Sequence, residues 1–170
     1  MQLRDKTRGK GLQLPLAQSL ALLCHEAGAL LIVNDHVDLA LAAGADGVHV
    51  GQKDLPAAVV RRLGGPKMLI GASTNNPDEA RQAEADGADY VSVGRLFETG
   101  SKEDTRPATT ETLRAVKAAV SVPVCAIGGI NDANVDDVIA AGADMVAVIG
   151  AVCAAADPRE AATRLAGRFE

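Results

Sequence analysis

Carboxylates, cations, hydroxyls and glycines follow several short apolar runs of this chain, and their types suggest phosphate chemistry. Asp35 comes after the run Leu30 to Val33, and Asp54 closes Gly51-Gln52-Lys53-Asp54 after the next run. Arg4, Lys6 and Lys102 supply cations, and Ser73, Thr99 and Ser101 supply hydroxyls at similar places. Two carboxylates among such groups suit a diphosphate carrying Mg²⁺, which accepts one or two carboxylates and fills its shell with phosphate and water. Either aspartate could instead be a helix N-cap, a position that favours this residue. Gly128-Gly129 could offer bare amides to a phosphate or form a plain tight turn, and Ile149-Gly150 lies after the following run. Thr99-Gly100-Ser101-Lys102 combines hydroxyls, a pliable backbone and a cation, without the glycine spacing of a P-loop. The histidines promise less. His49 falls inside an apolar run and reads as a packed residue, His25 reads as exposed on a helix, and His36 stands beside Asp35.

These residues need a scaffold that brings run ends together, and a repeated phrase indicates one. Gly44-Ala45-Asp46, Gly87-Ala88-Asp89 and Gly142-Ala143-Asp144 each end an Ala-rich amphipathic stretch and open a β-branched one. Glycine reverses a helix end cheaply, and the β-branched run suits a buried strand. Strands are expected at 2–4, 30–33, 48–50, 68–71, 90–93, 124–127 and 145–148. Helices are expected at 14–27, 37–43, 55–63, 76–85, 110–120, 132–141 and 158–167. Strict alternation predicts an α/β fold with a parallel sheet, and the unit size points to a (β/α)8 TIM barrel with seven βα units recognisable here. In such barrels the loops after the strands hold ligands.

The 170 residues are read as a single TIM-barrel domain, 1–170, that is N-terminally incomplete. Without a first βα unit, unpaired strand edges need a cover, which a homo-oligomer could supply. A net charge of −5 with interspersed signs argues against nucleic acid as the main partner. No apolar stretch reaches membrane-spanning length and no signal peptide opens the chain, so no membrane is expected and a cytoplasmic setting is the default. Cys24, Cys125 and Cys153 lack metal-ligand spacing and are expected to be buried structural thiols. With one Tyr, two Phe and no Trp, the core must be aliphatic.

Taken in order, Gln2-Leu3-Arg4-Asp5-Lys6, Asn34-Asp35, Gly51-Gln52-Lys53-Asp54, Gly71-Ala72-Ser73-Thr74, Thr99-Gly100-Ser101-Lys102 and Ala126-Ile127-Gly128-Gly129-Ile130 resemble the successive motifs of thiamine-phosphate synthases. The resemblance covers essentially the whole chain and lacks the family's first βα unit. It implies a transferase of thiamine biosynthesis. Such an enzyme joins 4-amino-2-methyl-5-(diphosphomethyl)pyrimidine to thiazole phosphate and releases diphosphate. By that likeness Gln2, Leu3, Arg4, Asp5, Lys6, Asn34, Ser73 and Lys102 hold the pyrimidine diphosphate, and Asp35 and Asp54 bind Mg²⁺. Thr99, Gly100, Ser101, Gly129, Ile149 and Gly150 hold the thiazole phosphate. Ser73, Lys102, Arg4 and Lys6 are the residues expected to carry the reaction. The family's chemistry is dissociative and needs no protein nucleophile. Departures from the family pattern are His36 for a usual Arg, Ser101 for Thr, Gly150 for Ser, and Arg95 and Glu98 for Pro. A thiazole tautomerase of the same fold is the rival enzyme, with Phe97-Glu98-Thr99 in its favour and Arg95, in place of that family's histidine, against it. A catalytically impaired phosphate-binding remnant is the non-enzymatic alternative.

Overall fold

The computed structural model describes residues 1–98 and 106–169. Seven strands alternate with helices, and the pairings described within each unit are parallel, giving an α/β, TIM-like fold. The chain is described as two compact units. The first takes Met1–Ser73 with Ala85–Asp89, and the second takes Thr74–Glu84 with Tyr90–Glu170.

In the first unit β1 (Gln2–Leu3), β2 (Ile32–Asn34), β3 (Gly47–Val50) and β4 (Leu69–Thr74, apart from Thr74) lie side by side in chain order. α1 (Lys10–Glu26), α2 (Val37–Ala43) and α3 (Ala57–Gly64) connect them. Every residue of β3 is buried, as expected of a strand covered on both faces. Val33, Val48 and Ile70 form the interior of this unit, and Ala21, Cys24 and Leu31 pack together beside it. The second unit contains α4 (Pro77–Ala85, apart from Ala85), β5 (Tyr90–Val93), α5 (Thr110–Lys117), β6 (Val124–Ile127), α6 (Val135–Ala140) and β7 (Met145–Ala147). Two further helices close it, α7 (Gly150–Cys153) and α8 (Pro158–Ala166). Its buried residues include Val91, Val93, Leu113, Val116, Val124 and Val138.

The repeated Gly-Ala-Asp phrase is a clasp. Gly44, Gly87 and Gly142 all take positive φ, which ends the preceding helix in a conformation natural to glycine. Each Asp then reaches back to the amino end of an earlier strand. Asp46 accepts the Leu31 amide at 2.8 Å and pairs with His25, Asp89 accepts the Ile70 amide at 2.7 Å and pairs with Arg61, and Asp144 accepts the Val124 amide at 2.7 Å and pairs with Lys117. Arg61 also donates to the carbonyls of Gly65, Met68 and Gly87.

Element boundaries differ from the sequence expectation where local chemistry intervenes. α1 begins at Lys10 instead of Leu14, because the Gly9 carbonyl already accepts the amides of Leu12 and Gln13. Pro15 therefore lies inside the helix, where it removes a single amide. α3 starts after Pro56 rather than at Leu55, since the fixed φ of proline suits a helix edge. α7 was not anticipated, and it is only four residues long. Cys153 ends that helix on the surface, so the expectation of three buried thiols holds for Cys24 and Cys125 only. Burial raises the Cys125 thiol to about 12, which leaves it inert as a nucleophile.

Candidate functional site

In the first unit the chemistry gathers after β1, β2, β3 and β4. Asp35 ends β2 with φ of 65°, a left-handed conformation that Asp tolerates better than most side chains. Its amide donates to the His49 carbonyl at 2.8 Å, which fixes the turn. Asp54 lies three residues past Gly51 and accepts that residue's amide at 2.7 Å. Neither aspartate caps a helix. His36 is the N-cap of α2 and Pro56 that of α3, and neither provides a side-chain cap. With capping removed, the two carboxylates remain as neighbours. Burial pushes the Asp35 carboxyl above its usual range, the facing charge of Asp54 pushes it further, and Lys6 opposes both. Lys6 Nζ lies 3.3 Å from Asp35 Oδ2. Two facing carboxylates, one of them driven towards protonation, fit a divalent cation that would relieve the repulsion. A cavity of about 420 Å³ adjoins the pair and is lined by Lys10, His36, Asp38, Leu55 and Leu63.

Ser73 stands near the end of β4, and two residues that sequence reasoning passed over hold it. His49 Nε2 is 2.9 Å from Ser73 Oγ, and Gln52 Nε2 donates to the Ser73 carbonyl at 2.7 Å. The strand register explains the first contact. His49 pairs with Gly71, and Ser73 is two residues further along the same face. His49 is buried, as expected, but its ring is committed to a polar partner rather than to packing alone. Its place in a strand whose four residues are all buried was the available signal, since buried imidazoles need hydrogen-bond partners.

In the loop after β1, two of the expected residues have side chains with partners inside the protein. The Leu3 side chain packs against Ala21, Cys24 and Leu31. The Asp5 carboxylate accepts the amides of Thr7 and Arg8, the Thr7 hydroxyl and the Arg8 guanidinium. These donors hold Asp5 far below the usual carboxylate range and occupy it in shaping the loop. Gln2 is exposed, and Arg4 and Asn34 are half-buried at the ends of β1 and β2.

In the second unit Gly128 and Gly129 follow β6, with φ of 100° and 69°. A Cβ on Gly128 would meet Arg95 Cα at 2.7 Å, and one on Gly129 would meet the Glu98 carbonyl at 2.6 Å. Phe97 donates its amide to the Gly128 carbonyl at 3.0 Å. The glycine pair thus lets the segment 95–98 lie directly on the end of β6. Asn131 and Asn134 fasten the Gly129 carbonyl at 3.2 and 3.0 Å. Ile149 and Gly150 are exposed at the start of α7. Thr99, Gly100, Ser101 and Lys102 lie outside the described residues.

Comparison with known proteins decides between the enzymes this arrangement could serve. Residues 1–152 match the thiamine monophosphate synthase family. The chain belongs to that family. A thiamine-phosphate synthase of Moorella thermoacetica is 53% identical over 166 residues, covering 97% of this chain and 79% of its own length. The corresponding protein of Methanoculleus marisnigri is 50% identical over 99% of this chain and 81% of its own. Among solved structures, thiamine phosphate pyrophosphorylase from Pyrococcus furiosus superimposes with a TM-score of 0.92 at 40% identity, over 99% of this chain and 81% of that one. A 3-hexulose-6-phosphate synthase, 20% identical with a TM-score of 0.72, shares the fold alone. Among the described residues, no helix is long and apolar enough to cross a membrane.

Proposed function

We propose that this chain is a thiamine-phosphate synthase, an Mg²⁺-dependent transferase that joins a hydroxymethylpyrimidine diphosphate to a thiazole phosphate and releases diphosphate. The observation that carries this reading is the facing pair Asp35 and Asp54, which caps no helix and lies beside Lys6. In the first unit those carboxylates would hold the metal, and Arg4 and Lys6 would meet the diphosphate oxygens. When bound, Mg²⁺ neutralises charge on the departing diphosphate. Lys6 contributes a second, permanent cation to that leaving group. Ser73 can offer its hydroxyl to the pyrimidine, and the His49 ring, 2.9 Å away, fixes the position of its oxygen. Gln2 and Asn34 supply amide groups for the same substrate.

The chemistry fits this equipment. Loss of diphosphate leaves a pyrimidine cation that its own amino group stabilises, so the protein supplies charge compensation and alignment rather than a nucleophile. For the thiazole phosphate, the second unit offers the backbone around Gly129 and at Ile149-Gly150, with Thr99 to Ser101 as the phosphate loop. Gly150 leaves its backbone amide as the donor there.

The deciding experiment supplies both substrates and Mg²⁺ and detects thiamine phosphate after oxidation to its fluorescent product. Product that EDTA abolishes is the expected result. Absence of product, together with conversion of a thiazole tautomer, would return the tautomerase reading to which Phe97-Glu98-Thr99 points. Silence in both, with phosphate still bound, would identify a remnant.

A further inference from the structure

Gln13 is the least expected buried polar residue of the first unit. It sits in the first turn and a half of α1, is 3% exposed, and belongs to no motif that the sequence singles out. Its side-chain amide points out of the helix towards the loop after β1. Nε2 donates to the Asp5 carbonyl at 3.2 Å and to the Arg8 carbonyl at 2.6 Å. From the other side, the Asp5 carboxylate gathers the amides of Thr7 and Arg8. The segment 5–8 is therefore held at both its carbonyls and its amides. Lys6 lies inside this fastened segment and Arg4 immediately precedes it, and Lys6 reaches Asp35 from there.

We propose that Gln13 is a positioning residue for the diphosphate end of the site: by pinning the carbonyls of Asp5 and Arg8 it sets where Arg4 and Lys6 present their charges. The proposal rests on the synthase reading. A flexible cation must lose conformational freedom to meet a phosphate, and a loop fixed beforehand reduces that loss on binding. An amide suits the task because it offers two donors to two carbonyls, which no apolar or acidic side chain of its size can do. A purely structural Gln13 would stabilise α1 and leave anion binding untouched.

The test measures binding of inorganic diphosphate with Mg²⁺ by calorimetry, alongside thermal melting, for wild type, Gln13→Met and Gln13→Glu. Both variants keep the volume and lose the paired donors. Wild type is expected to bind, and each variant to bind about tenfold more weakly, as expected for two lost hydrogen bonds. In a double-mutant cycle, Gln13→Met placed on Lys6→Met should cost clearly less than it does alone, because the group it positions is already gone. Variants that melt lower but bind diphosphate like wild type would overturn the proposal, as would full additivity with Lys6→Met. A wild type that binds no diphosphate would overturn the synthase reading itself, and the proposal with it.

Discussion

Aspartate does opposite work at the two ends of the strands. At the amino ends Asp46, Asp89 and Asp144 are each committed twice, to a strand amide and to a basic side chain. At the carboxyl ends Asp35 and Asp54 face each other, and Lys6 is the cation that reaches Asp35 among the described residues. A committed carboxylate stabilises the native chain. A repelling pair costs stability unless a cation arrives. The contrast teaches that residue type alone assigns no role, and that the partner inventory does.

The widest gap between the two ends should appear in turnover. Asp35→Ala combined with Asp54→Ala is expected to lower kcat by about a thousandfold or more, while the melting temperature stays close to wild type. An active double variant would break the contrast. The reverse behaviour is expected at the amino ends. Arg61→Met, which takes the guanidinium from three carbonyls and from Asp89, should cost about 3 kcal/mol in denaturant unfolding yet leave turnover per folded molecule unchanged. Gly129→Ala should cost about 2 kcal/mol, because its Cβ meets the Glu98 carbonyl from a left-handed backbone, whereas Gly150→Ala meets open space and should be neutral in stability. The smallest effect concerns pH. Hydrogen bonds and the Lys117 charge hold Asp144 below its ordinary value despite some burial. Its stabilisation is therefore complete above the unfolded carboxylate range and lost as pH falls through the lowered native value. Both partners are more than one-third exposed, so Lys117→Met should flatten the acid limb of stability by only about 0.5 kcal/mol.

The repeat was legible because its signal is local. β5 and β6 occupy the expected residues, since β-branched runs bounded by Gly-Ala-Asp and by proline leave little choice. The clasp was not legible, because a bond from Asp89 to the Ile70 amide spans nineteen residues and leaves no mark in either neighbourhood. The site divides in the same way. Asp35, Asp54, Lys6 and Ser73 stand out by type and place. Asp5 is singled out in sequence as a ligand-binding residue, and its four donors show a part in shaping the loop that the sequence leaves unseen. Gln13 and His49 were passed over because helix and strand interiors are read first for packing, and their polar partners come from other elements.

The clasps also bear on how the chain reaches this state. Their carboxylates meet amides only 15, 19 and 20 residues away. Closing loops of that size costs little entropy and takes well under a microsecond to microseconds. Assembly can therefore nucleate at three separate places, each completing a strand, a helix and a turn before any distant contact is required. A protein of predominantly parallel sheet, slow to fold when its pairings are distant, acquires early footholds in this way.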